Sequence, residues 1–253
     1  MGEVGTMKVY FFLAFVLIIG GFLAIYIIGL PHVYTAESGE SISPHLFDET
    51  RQPIHTINLI AFYFVPQNKV ATQVANWREI LVDNLQNLKK FHDLQFGGSS
   101  QIHLTIYPTP VIGYKDNFVY DTSVTQRGNP AALRSITQEL EERVFDSRGD
   151  LYWPDAVSTD PAIWPVSYIL YEGIGASGTI HSAILSRIFL TDPQYLVRGP
   201  SYFVHEFYHT LGIPDGYDLA TTLPNTDDIM GAGRERPLDL TYLSGDTLKK
   251  MGL

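Results

Sequence analysis

The sequence predicts an α+β fold: a mixed twisted sheet with two long helices and a shorter third one, preceded by one transmembrane helix. Three observations predict it. An uncharged apolar run fills Val9 to Leu30. After it, runs rich in β-branched and aromatic residues alternate with segments of helical apolar period, in the order β, α, β, α, β, β, α. The composition, 45% hydrophobic and 17% charged, is that of a chain able to build a core.

The apolar run VYFFLAFVLIIGGFLAIYIIGL would cover about 33 Å as a helix, enough for a hydrocarbon layer of about 30 Å. A cleaved signal peptide has a shorter apolar region and a small-x-small cleavage site. Here the nearest candidate, Tyr34-Thr35-Ala36, begins with a bulky residue. The segment therefore reads as an uncleaved anchor. Lys8 precedes it, whereas Glu37 and Glu40 follow and no basic residue occurs before Arg51, so the N-terminus is expected inside. The expected organisation is a cytoplasmic tail at 1–7, an anchor at 8–30, a Pro- and Ser-bearing stalk at 31–54 and an extracytoplasmic domain at 55–253 of a single-pass cell-membrane protein.

INLIAFYFV (57–65) is the first strand, stopped by Pro66. In the stretch that follows, Val74, Trp77, Ile80, Leu81, Leu85, Leu88 and Phe91 recur at three- and four-residue steps, and Gly97-Gly98 closes the helix. QIHLTIY (101–107) is a second strand. Asn129 and Pro130 open a helix reaching Phe145, with Leu133, Ile136, Leu140 and Val144 on one face. VSYILYEG (166–173) and AILSRIFL (183–190) read as strands joined by a glycine-bearing loop. Tyr202 to Leu211 is a helix, with Gly199-Pro200-Ser201 before it and Gly212 and Pro214 after it.

Zero cysteines exclude disulfides, thiolate nucleophiles and thiolate metal ligands. The formal charge of -10 falls on the part after the anchor and argues against a nucleic-acid partner. Any metal must be held by His, Asp or Glu.

HEFYHTLGIPDGYD (205–218) supplies such a set. His205 and His209 are four apart, so on a helix their imidazoles share a face one turn apart. Glu206, one step round, can stand beside a metal without binding it and accept a proton from water. Gly212 permits the chain to turn back, which makes Asp215 a carboxylate third ligand for Zn2+. Asp218 is the rival, because Gly216 would allow a second bend. A surface helix with exposed His and Glu is the bland alternative, and a non-catalytic binding protein with a structural zinc is the alternative of another class. His181 reads as structural, and the acid-rich 146–150 and 225–228 stretches as solvated loops without calcium-loop spacing.

The pattern HExxHxxGxxD resembles the metzincin zinc endopeptidases, specifically the aspartate variant seen in snapalysin and the immune inhibitor A peptidases. DDIMGAG adds Met230, similar to that family's methionine turn beneath the metal, and LSGDTLKKMGL resembles its closing helix. The resemblance implies a metzincin-like sheet with an active-site helix and a small C-terminal subdomain. It also implies a zinc ion on His205, His209 and Asp215, Glu206 as general base, and a protein or peptide substrate lying along an outer strand near 173–182. The chain departs from many members at Ala232, where a tyrosine is common; Tyr208, Tyr217 and Tyr242 are the candidates to replace it.

Overall fold

The computed structural model describes residues 43–121, 130–145, 163–216 and 227–253. The expected anchor, and the stalk up to residue 42, lie outside the described residues. Among the described residues no helix is long and apolar enough to cross a membrane.

The described chain opens with two short antiparallel strands, β1 (His45–Leu46) and β2 (Glu49–Pro53), and then the long strand β3 (Thr56–Val65). Helix α1 (Trp77–Phe96) ends where Gly97 turns left-handed at φ 57° and its amide bonds Asp93 O. Strands β4 (Gln101–Ile106) and β5 (Val111–Ile112) follow, then a short turn α2 (Asn117–Tyr120) and helix α3 (Pro130–Leu140), which continues into a π turn at Glu141–Phe145. Strands β6 (Ile163–Tyr171), β7 (Ala176–Thr179) and β8 (Ser182–Ser186) lead through a turn α4 (Ile188–Thr191) to α5 (Gly199–His209). Two 3-10 turns, at Ala232–Glu235 and Leu238–Leu240, and helix α6 (Gly245–Lys250) close the chain.

The main sheet runs β4-β3-β6-β8-β7, with β5 also on β3. Every pairing is parallel except β7 with β8. Both faces are covered, and the period of two along β3 divides them. Ile57, Leu59, Ala61, Tyr63 and Val65 join a core with α1 and α5, while Ile60, Phe62 and Phe64 join another with α3. The layering is thus α/β with a mostly parallel sheet, where α+β was expected. A strand buried on both faces shows a continuous apolar run rather than an alternating one, and such a run carries no mark of its neighbours' direction.

Three further differences have local causes. AILSRIFL is a strand only to Ser186, whose Oγ accepts from Ile188 N and starts the α4 turn, while Arg187 reaches sideways to Glu172 at 2.7 Å. The glycine-bearing connection contains an additional edge strand, β7. Residues 43–54, expected in the stalk, are folded onto the domain: His45 N bonds Met251 O at 2.7 Å, Phe47 N bonds Leu211 O at 3.2 Å, and Ile54 is buried. The C-terminal segment shares the α1–α5 core through Ile229, Met230, Leu243, Leu248 and Met251.

Candidate metal centre

Helix α5 is seated before it is functional. Phe203, Val204, Phe207 and Tyr208 are fully buried, each worth about 1.5–3 kcal/mol of apolar transfer, and together they press the helix onto the sheet and α1. Tyr168 OH donates to Phe203 O at 2.9 Å, and its ring stacks on Phe203 at 4.0 Å. That seating fixes the rotation of α5 and hence the direction of His205, Glu206 and His209.

The helix ends at His209, and the chain turns away within three residues. Gly212 takes φ 81°, a conformation strained for any residue with a Cβ, and its amide bonds His209 O at 3.0 Å. The reversal brings Asp215 back over the helix. Its Oδ1 lies 3.3 Å from His205 Nε2 and 3.4 Å from His209 Nε2, and the two imidazoles cross at 82° with centroids 4.8 Å apart. Among the described residues, His205, His209 and Asp215 form the group of possible ligands whose donor atoms all lie within 4.8 Å of one another.

The far nitrogen of each imidazole is already committed. His205 Nδ1 donates to Ile229 O at 2.9 Å and His209 Nδ1 to Ile213 O at 2.8 Å. With the proton held at Nδ1, the lone pair of each Nε2 points toward the carboxylate, the tautomer a metal requires. Two neutral nitrogens and one carboxylate oxygen, the atoms that converge among the described residues, are a donor set suited to zinc, and these residues fit that ion. Burial by itself would raise the pKa of Asp215, yet in the metal-free state, where a histidine that is also protonated at Nε2 can donate to it, the hydrogen bonds and charge of the two histidines hold it well below the carboxylate range. Burial opposes a charged His209, but the bond to Asp215 and the charge of Glu206 outweigh it and push its pKa up. The local field thus favours positive charge at this point.

Glu206 is 6% exposed, and burial pushes its pKa up; the charge of Asp215 adds to that rise, while His205, His209 and Arg234 pull it down. A carboxylate shielded from water, next to the ligand pair and not among the ligands, is placed to exchange protons.

Two supports come from residues that sequence reasoning missed. Asp228, read as part of a solvated loop, is 8% exposed and ties the 228–231 turn together. Its Oδ1 accepts from Met230 N at 2.8 Å and its Oδ2 from Ser244 N at 3.0 Å. That turn touches both halves of the site: Ile229 O holds His205, and Met230 O accepts from Gly216 N, beside Asp215, at 2.8 Å. Met230 itself is buried. Gly178 of β7 is the second support: a Cβ there would stand 2.5 Å from His209 Cβ and 2.6 Å from Glu206 O, so only glycine lets the edge strand approach α5 this closely. Neither role was marked in advance, because Gly178 answers to α5 and one of the two partners of Asp228, Ser244, is distant in sequence.

The other expected residues fall as follows. His181 caps the β7–β8 turn, stacks on Trp164 at 4.1 Å and bonds Pro165 O through Nδ1, a structural position. Tyr208 points into the α1 interface, with its hydroxyl 3.4 Å from His92 Nδ1, on the side away from the ligands. Tyr242 lines a cavity of about 460 Å³ with Phe47, Asp215, Met230 and Lys250. Tyr217 and Asp218 lie outside the described residues.

No family model and no curated protein matches the chain. Among solved structures it is similar to the archaemetzincin of Methanopyrus kandleri, at 12% identity and a TM-score of 0.40, over 79% of this chain and 94% of that one. It is also similar to metalloproteinase-II of Bacteroides fragilis, at 13% identity and a TM-score of 0.43, over 85% of this chain and 58% of that one. Likenesses this distant leave the weight on the residues themselves.

Proposed function

We propose that the chain is a zinc-dependent endopeptidase held at the membrane by residues 8–30, with its catalytic domain on the outer side. The observation that carries the reading is the convergence of His205 Nε2, His209 Nε2 and Asp215 Oδ1 beside the buried carboxylate of Glu206. The uncharged run Val9–Leu30 supports the anchor.

A bound zinc ion supplies Lewis acidity toward water and toward the scissile carbonyl. The protein does the rest. Glu206 takes a proton from the attacking water as the new C–O bond forms, and returns it to the amine nitrogen as the C–N bond breaks. Ile229 O and Ile213 O keep both imidazoles in the ligating tautomer throughout.

Substrate is expected as an added strand on β7. Ser186 N donates to Gly175 O, which makes that pair, and by alternation the pair Ser177–Ile184, the hydrogen-bonded ones of the β7–β8 ladder. The amides and carbonyls of Ala176 and Gly178 therefore face away from β8. Gly178 is also the residue against His209, so an extended peptide paired there passes the ligand group.

The test uses the full chain in detergent: bound zinc by elemental analysis, then cleavage of a peptide library by wild type and Glu206→Gln. The expected result is about one zinc per chain in both and a fall in kcat of about 10²- to 10⁴-fold in the variant. Equal cleavage by the two proteins would remove the mechanism. Bound zinc with no cleavage by wild type would favour a structural metal in a binding protein.

A further inference from the structure

Strands β3 and β6 lie side by side and parallel, with Phe64 opposite Tyr171, and beyond their C-terminal ends the chain departs in two directions. From β3 it passes through α1 to β4 on one side; from β6 it passes through β7 to β8 on the other. Such a divergence opens a crevice at the carboxyl ends of the strands, the place where parallel sheets hold ligands. A cavity of about 260 Å³ lies there, lined by Lys69 after β3, by Tyr171, Glu172 and Ile174 at the end of β6, and by Arg187 and Ile188 after β8. None of the candidate metal ligands lines it. Its loop is closely fitted. A Cβ on Gly173 would stand 2.2 Å from Cζ of Tyr171, whose ring is buried and whose hydroxyl is bonded to Asp121 Oδ1 at 2.8 Å, so only glycine lets the loop approach that ring.

The lining is cationic in a chain whose formal charge is -10. Glu172, 5% exposed, is already spent: it accepts from Tyr63 OH at 2.5 Å and from Arg187 Nε and Nη2 at 2.7 and 2.8 Å. Asp121 nearby is spent as well, on Tyr171 OH, on Ile174 N at 2.9 Å and on Asn117 Nδ2 at 2.5 Å. Arg187 is spent only in part. A guanidinium carries five N–H groups; beside those on Glu172 one goes to Thr191 Oγ1 at 2.9 Å, which leaves one N–H on each η nitrogen without a partner among the described residues. The same bonds hold it in place. Lys69 Nζ, half-buried, makes no hydrogen bond or ion pair among the described residues. Ile174, 48% exposed, and Ile188 add apolar surface. We propose that this recess binds a carboxylate carried on a small apolar group, with Lys69 and the remaining Arg187 N–H groups on the carboxylate and the two isoleucines against the apolar part. The planar fork of Arg187 matches a carboxylate, and a volume just below the usual minimum of about 300 Å³ suits a ligand of amino-acid size rather than a nucleotide. Two sources offer that chemistry: the carboxylate end of a peptide lying on β7, since Ile174 stands two residues before that strand, and a free small acid.

The test uses the full chain in detergent, with its metal, and two probes that differ in the carboxylate alone, N-acetyl-leucine and N-acetyl-leucinamide. Calorimetry is expected to show saturable binding of the acid and about 10- to 100-fold weaker binding of the amide. Lys69→Met is expected to lose the acid by a similar factor with its thermal midpoint unchanged, and Lys69→Arg to retain it. Methyl NMR should place the acid at Ile174 and Ile188. Absence of saturable binding, equal binding of the two probes, undiminished binding in Lys69→Met, or methyl shifts at Ile213 and Ile229 beside the histidines instead would each overturn the assignment. Binding is read without turnover, so this site and the peptidase reading fail separately. Cleavage then identifies the source. A lower KM for library peptides ending in a free carboxylate than for their amides, lost in Lys69→Met, assigns the recess to substrate; equal KM values with the acid still bound assign it to a free acid.

Discussion

Gly178 and Asp228 show how single residues set the precision of the candidate centre. In Gly178→Ala the new methyl meets His209 Cβ and the Glu206 carbonyl, neither a flexible chain end, so β7 must withdraw from α5. The expected cost is about 1–3 kcal/mol of stability, with weaker zinc binding, read by thermal unfolding and by competition with a chromogenic chelator. Asp228→Asn keeps the shape of the turn but gives one of its two amide partners, Met230 N or Ser244 N, a donor to face. Because the carbonyl that orients His205 sits on the same turn, zinc affinity is expected to fall about 10- to 100-fold. Unchanged affinity with lowered stability would confine Asp228 to folding. The convergence of His205, His209 and Asp215 was legible in the sequence because helix period and a glycine stop are local rules. These two supports were not, since the glycine answers to a helix it meets only in the folded state and the aspartate to a serine far along the chain.

Between α1 and α5 lies a buried histidine that is not one of the three candidate ligands. His92 is wholly buried, ringed by Phe96, Phe207 and Tyr208, and its Nε2 has no partner among the described residues. Burial, with Lys89 adding repulsion, pushes its pKa down to about 3. The folded form therefore refuses a proton that the unfolded chain accepts near pH 6.5. Its contribution is fully present above that pH and is lost as pH falls from about 6.5 toward 3, amounting to about 2 kcal/mol by pH 5. Denaturant titrations at pH 7 and pH 5 should show this loss in wild type and a correspondingly smaller one in His92→Leu; equal losses would refute it. Element boundaries set by local period, such as the Gly97 stop of α1, could be read in advance. The edge strand β7 could not, because Ala176-Ser177-Gly178-Thr179 carries no large apolar residue: it must leave room for α5 on one face.

For the molecule as a whole, metal and fold should be coupled. The three candidate ligands come from a helix and from the loop beyond its glycine stop, so an ion that binds only the folded form adds stability according to its concentration. The gain is about 2.7 kcal/mol at a hundred times the dissociation constant. Dialysis against a chelator should lower the thermal midpoint and abolish cleavage, and zinc should restore both; an unchanged midpoint would separate the site from the fold. The mixed sheet and the covering helices followed from period and order. The parallel direction and the packing of residues 43–54 did not, since strand polarity and the partner of a short polar segment are decided by tertiary contacts. That last contact also has a mechanical side. His45 and Asp48 are bonded to Met251 and Lys250, so tension transmitted from upstream is borne first by the closing helix α6 rather than by β3. In an optical-trap pulling experiment the earliest rupture should peel away the two ends as a clasp, while the sheet and its histidine pair stay intact.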